Sequence, residues 1–178
     1  DPNTIAEKTG ITTIADFRRR DIAAGGEGAP LAPAFHAAAF AKPGVARAVV
    51  NIGGIANASI MDGSELLMGF DTGPGNTLLD HWIARHREKP YDQDGQWSAA
   101  GQVHQVLLDK LLAHSYFSKT GARSTGKEAF NLAWLDSQLA ELGAITATNV
   151  QATLMEFTCI SITRAIRSCP LKVSEVYI

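Results

Sequence analysis

The spacing of apolar and polar positions changes character near residue 45 of this chain. Before that point the signals are short. Residues 11–15 read as a strand, and a glycine-rich loop at 24–30 leads into an apolar helix through Phe35 and Phe40. Lys42-Pro43-Gly44 stops that helix and is the best linker signal, so a domain boundary is predicted there, with 1–44 on one side and 45–178 on the other. Three strand-like runs then follow closely, 46–52, 56–61 and 66–70, with Gly53-Gly54 turning the first into the second and Asp62-Gly63-Ser64 the second into the third. A helix is predicted over 74–87. Val103, Val106, Leu107 and Leu111 have helical spacing and are expected to face a core. The last helix is predicted to begin near Thr148, which with Gln151 forms a capping box, and to stop before Pro170; a strand starts near Val173. The order β-β-β-α, a helical insertion, then α-β predicts an α/β fold, a mixed sheet flanked by helices.

That order brings two loops together. In an up-down-up meander the first and third strands end on the same rim, roughly 10 Å apart. One rim loop is Asn51-Ile52-Gly53-Gly54; the other is Gly69-Phe70-Asp71-Thr72-Gly73-Pro74-Gly75-Asn76. Two ordinary turns would account for the Gly63 turn, but not for glycine pairs in both rim loops. In the second loop Gly73 is placed to cap the helix and Pro74 to occupy its first position, where a missing N–H costs nothing. The free amides of the first turn then favour a phosphate or other anion beside the Asp71 carboxylate. A general base next to an anion cradle is the arrangement that phosphoryl transfer requires.

Composition narrows the remaining classes. Of 178 residues, 46% are apolar and 19% charged, which supports a core, and the net charge of −2 gives no electrostatic case for nucleic acid or an anionic membrane surface. The apolar stretches are too short and interrupted to span a bilayer. Cys159 and Cys169 read as reduced core thiols, in keeping with a cytoplasmic protein. His36, His81, His86, His104 and His114 have no metal-ligand spacing. Residues 121–128 nearly spell a P-loop, yet Glu128 stands where a Ser or Thr hydroxyl is needed and no strand precedes it, leaving Arg123 and Lys127 as surface charges or substrate contacts. Arg18-Arg19-Arg20 is flanked by Asp16 and Asp21, which argues against a nucleic-acid patch. Read as extended, this segment sends Arg18 and Arg20 to one face, and the nearby glycine loop makes Arg20 a candidate anion clamp.

Asp16 to Asp21, Gly28-Ala29-Pro30-Leu31, Asn51 to Asn57, Gly69 to Asn76, Ser124-Thr125-Gly126-Lys127-Glu128 with Phe130-Asn131-Leu132, and Val150 to Leu154 together resemble, in order and over almost the whole chain, anhydro-N-acetylmuramic acid kinase. The resemblance implies the actin-like ATPase superfamily, with two ribonuclease-H-like lobes around a nucleotide cleft. Residues 45–178 are then most of the second lobe and 1–44 the tail of the first, incomplete at both ends. It implies ATP and Mg²⁺, a 1,6-anhydro-N-acetylmuramic acid substrate opened by water and phosphorylated at O6, a cytoplasmic setting and a homodimer. Asp71 matches the family's catalytic base and Arg20 a substrate contact. Asn51, Gly53 and Gly54 match the second phosphate loop, and Gly73, Gly75 and Asn76 the turn beside it. The family's first phosphate loop and its adenosine-binding glycine run have no match, so the segment alone is expected to be inactive. Two alternatives stay open: a nucleotide-gated module without catalysis, and a kinase for another sugar or acid.

Overall fold

The computed structural model describes residues 1–26, 28–119, 121 and 123–178. Glu27 of the glycine-rich loop and Ala122 of the P-loop-like stretch lie outside the described residues. Along the chain come helices α1 (Pro2–Thr9), α2 (Phe17–Ala23) and α3 (Pro33–Phe40), then strands β1 (Ala46–Ile52), β2 (Ile55–Asp62) and β3 (Glu65–Pro74). Helices α4 (Thr77–Arg87), α5 (Gln96–Ala99), α6 (Gln105–Leu112), α7 (Leu132–Leu139) and α8 (Ala147–Arg167) follow, and β4 (Glu175–Tyr177) comes last. The strands form one mixed sheet in the order β3-β2-β1-β4. The pairs β1–β2 and β2–β3 are antiparallel, and β4 lies parallel to β1 after the long helical crossover that a parallel neighbour needs.

Period-two alternation sorts the sheet into two faces. Ala48, Val50, Ala56, Ala58, Ile60 and Phe70 face Ile162 and Ala165 of α8. The other face carries α3. His36 Nδ1 lies 2.7 Å from Ser59 Oγ, and a β-carbon on Gly69 would stand 2.2 Å from Pro33 Cγ, so the absence of a side chain there lets α3 lie against β3. The N-terminal half of α8 continues into a helical core with Leu78, Leu79 and Trp82 of α4, Leu107, Leu108 and Leu111 of α6, and Phe130 and Leu135. No helix among the described residues is long and apolar enough to cross a membrane.

Several local expectations need correction. Residues 11–15 form no strand: Ile11 and Ile14 are 67% and 74% exposed, and β-branched side chains make a strand only when a neighbour pairs with it. The arginine run is helical rather than extended, so Arg18 and Arg20 do not share a face. Helix α4 begins at Thr77, not at Pro74. Pro74 instead closes β3 opposite Ile55, a position that an edge strand tolerates. The α8 cap is Thr146, whose side chain accepts from the Asn149 N–H; the Thr148 hydroxyl accepts from the Trp97 indole at 2.9 Å. Leu107 and Leu111 are buried, whereas Val103 and Val106 are exposed.

Candidate active site

The strand β1 ends at Ile52 and β3 at Pro74, and Ala56 pairs with both Ile52 and Gly73. The two glycine-bearing turns therefore lie on one rim, and they touch. The Gly75 N–H donates to the Gly54 carbonyl at 2.9 Å, Asn76 N–H to Gly53 at 2.8 Å and Thr77 N–H to Gly54 at 3.1 Å. The Asn76 amide adds a bond to the Ile52 carbonyl at 3.2 Å, and the Thr158 hydroxyl of α8 donates to the Gly75 carbonyl at 2.9 Å. This approach requires glycine: a β-carbon on Gly75 would stand 2.3 Å from the Gly53 carbonyl oxygen. The bonds also redistribute the donors of the expected anion cradle. The Gly75, Asn76 and Thr77 amides are engaged in the latch, whereas the Gly53 and Gly54 N–H groups on the hairpin, like those of Leu78 and Leu79 in the first turn of α4, have no acceptor among the described residues. Donors without acceptors thus sit on the β1–β2 hairpin as well as in the first turn of α4, and the β3–α4 turn supports the hairpin.

Asp71 is 6% exposed and lies just before a β-bulge: Asn57 pairs with Asp71 and Ala56 with Gly73, so Thr72 is the extra residue. Its carboxylate uses one oxygen, Oδ2, to accept from the Thr125 N–H at 2.9 Å and the Ser124 hydroxyl at 3.1 Å. Oδ1 has no partner among the described residues. The Asp71 N–H donates to the Arg123 carbonyl at 2.9 Å, and the Asp71 carbonyl accepts from Tyr116 Oη at 2.5 Å and Arg123 Nε at 3.3 Å. These contacts cover part of the outer edge of β3. Burial pushes the Asp71 carboxyl above the ordinary aspartate value, with the Thr125 and Ser124 bonds pulling the other way, and a raised proton affinity suits a general base. Burial also pushes Tyr116 up to about 12, against the pull of the Arg123 charge, so the phenol stays a donor.

Register places a third group between the two loops. Asn51 pairs with Asn57 and Asn57 with Asp71, a row of three polar residues on the α3 face of the sheet. The Asn57 side-chain oxygen is buried without a partner among the described residues, a state that costs about 1–3 kcal/mol. Lys127 reaches the hairpin tip: a β-carbon on Gly54 would be 3.1 Å from its Cε and 3.8 Å from its Nζ. The P-loop-like stretch is no P-loop, yet Ser124, Thr125 and Lys127 all meet the rim. Asn57 shares a face with Asn51 because the turn takes three residues, 53–55; a two-residue Gly53-Gly54 turn would have paired 51 with 56 and sent Asn57 to the other face. Nothing local in the sequence gives the approach of 124–127.

Arg20 is exposed on α2 and no hydrogen bond or ion pair joins it to Asp71. Its neighbour Asp21 holds the glycine loop instead, accepting the Gly28 N–H at 2.7 Å. Among the described residues no group of three or more His, Cys, Asp or Glu could hold a metal ion.

A family model described as anhydro-N-acetylmuramic acid kinase matches residues 1–178. Similar curated proteins carry the same name. One from Shewanella sp. (strain MR-4) is 55% identical over 167 residues, covering 93% of this chain and 45% of its own length. One from Shewanella sediminis (strain HAW-EB3) is 53% identical over 165 residues, covering 92% and 45%. The chain spans less than half the length of these relatives. It belongs to the anhydro-N-acetylmuramic acid kinase family.

Proposed function

We propose that this chain supplies the second, ribonuclease-H-like lobe of an actin-like sugar kinase that uses ATP to open 1,6-anhydro-N-acetylmuramic acid and phosphorylate O6. Residues 45–178 form most of that lobe, and 1–44 belong to the tail of the first, with α3 resting on the sheet. The Gly53 and Gly54 amides, with Asn51 at the hairpin's base, hold the nucleotide phosphates, and Gly73, Gly75 and Asn76 fix that hairpin in place. Mg²⁺, held by phosphate oxygens and waters, would neutralise charge on the phosphates. Asp71 takes a proton from water as the water attacks the anomeric carbon. Arg20 contacts the sugar once the lobes close over it. ATP as donor goes with a cytoplasmic setting, and the assembly is a homodimer.

One observation carries this reading: a hairpin tip with two unbonded amides shares a rim with a buried carboxylate that keeps one oxygen free. The test uses the protein at the full length of its relatives, assayed with ATP and a panel of sugars that includes the anhydro sugar. Phosphorylation of the anhydro sugar, lost in Asp71→Asn while ATP still binds, is the expected result. Turnover of Asp71→Asn near that of the wild type would remove the base from the account. Failure of the wild type on the anhydro sugar would remove the substrate.

A further inference from the structure

Asp71 and Asn57 stand directly opposite each other on neighbouring antiparallel strands, where paired side chains have β-carbons about 4.5–5.5 Å apart. Each carries an oxygen without a protein donor. Asp71 Oδ2 is engaged by Ser124 and Thr125, which leaves Oδ1 without a partner among the described residues. Asn57 Oδ1 is buried with no partner among the described residues. Buried polar atoms are nearly always satisfied, and an exception calls for a missing donor. Asp71 beside it is acceptor-only when ionised, and no donor among the described residues bonds to the Asn57 oxygen, so a bound molecule is the donor this oxygen calls for. Water, with two hydrogens to donate, can serve both acceptors.

We infer that Asn57 orients the nucleophilic water: its side-chain oxygen accepts one hydrogen while Asp71 Oδ1 accepts the other. This rests on the kinase reading proposed above and adds a residue to it. With both hydrogens directed at the sheet face, a lone pair of the water points away from it, toward a sugar in the cleft. The water oxygen then forms a bond to the anomeric carbon, and the bond from that carbon to O6 breaks. O6 takes the broken pair and accepts the γ-phosphoryl, ADP leaves with the electrons of its bond to phosphorus, and Asp71 receives one proton. The hydrogen held by Asn57 stays on the new anomeric hydroxyl. Asn57 accepts no proton at any point; its work is angular.

The test again uses the protein at the full length of its relatives, with Asn57→Ala and Asn57→Ser compared with wild type in water and in water containing methanol. Methanol has a single O–H, which can serve Asp71 but leaves nothing for Asn57, so the wild type disfavours it. In Asn57→Ala, kcat is expected to fall by about 10²-fold, with the KM for ATP unchanged. The ratio of methyl glycoside 6-phosphate to reducing sugar 6-phosphate is expected to rise. Asn57→Ser, with a shorter acceptor, falls between, and it decides by the same two readouts if the alanine variant does not fold. An unchanged product ratio, whether kcat falls or not, overturns the assignment, because a merely structural defect does not alter the choice of nucleophile. Wild type that leaves the anhydro sugar intact overturns the kinase reading and this assignment with it, whereas wild-type turnover with an unaffected Asn57→Ala overturns this assignment alone.

Discussion

The α3 face of the sheet buries a charged group toward each end, and the two are treated in opposite ways. Beside β4, Arg47 is 7% exposed and fully engaged. Its guanidinium donates to the Phe40 carbonyl and to Glu175, at 3.0 Å from Nε and 2.5 Å from Nη2, and it lies 4.6 Å from the centre of the Tyr177 ring. At the glycine rim Asp71 is as deeply buried, but among the described residues only one of its oxygens is bonded and the neighbouring Asn57 oxygen has no partner. The Arg47 end ties α3, β1 and β4 together. The Asp71 end leaves the Asn57 oxygen buried and unmatched among the described residues, where burial is costly, and leaves Asp71 Oδ1 open, which is what a ligand site needs.

Substitutions at the two ends should therefore separate chemistry from stability. The largest effect is expected at Asp71: in the full-length protein, Asp71→Asn lowers kcat by about 10²–10⁴-fold in steady-state assays, as loss of a general base does. Gly75→Ala attacks the support. The added methyl would meet the Gly53 carbonyl, so about 1–3 kcal/mol of stability is expected to be lost in urea titrations, along with a rise in the KM for ATP. Arg47→Met at the opposite end should cost about 1–2 kcal/mol, because Glu175 is partly exposed and rehydrates, while kcat per folded molecule stays at the wild-type value. A fall in kcat as large as that of Asp71→Asn would erase the contrast.

The smallest effect is in pH dependence, and its sign differs between the ends. Glu175 is held below the ordinary glutamate value chiefly by its bond from Arg47, so its contribution is present above that ordinary value and is lost as pH falls through the lowered one. Asp71 is raised, chiefly by burial, so its ionisation opposes folding. That opposition is absent below the ordinary aspartate value and complete above the raised one. Asp71→Asn should accordingly have a higher Tm than wild type at neutral pH, with the gap closing as the pH falls through the raised value. A Tm difference that does not change with pH would mean that the Asp71 carboxylate is not strained by burial. The same raised value places the acid limb of kcat above the ordinary carboxylate range.

What was legible in the chain follows from the reach of each signal. Period two and glycine turns act over a few residues, and they were enough to predict three strands in a meander with two glycine loops on one rim. The start of α4 was not legible, because Gly73-Pro74 reads as a helix opening unless the bulge at Thr72 and the Ile55–Pro74 pair are known. For the same reason the Gly53 and Gly54 donors went unnoticed beside those of the helix start, where the bonds of Gly75, Asn76 and Thr77 occupy part of the set. Ser124, Thr125 and Lys127 lie more than fifty positions from Asp71 in the chain, and only the packing of the helical insertion against β3 brings them in. The arginine run, read as extended, has no apolar alternation and no partner strand, and arginine is a good helix former, so it folds as α2.

The most direct measurement is a crystal structure of the protein at the full length of its relatives, bound to a non-hydrolysable ATP analogue and the anhydro sugar. The account predicts the terminal phosphate on the Gly53 and Gly54 amides, with Asp71 Oδ1 about 2.6–3.2 Å from a water that faces the anomeric carbon. A terminal phosphate bound away from that hairpin, or an Asp71 carboxylate with no water between it and the sugar, would contradict it.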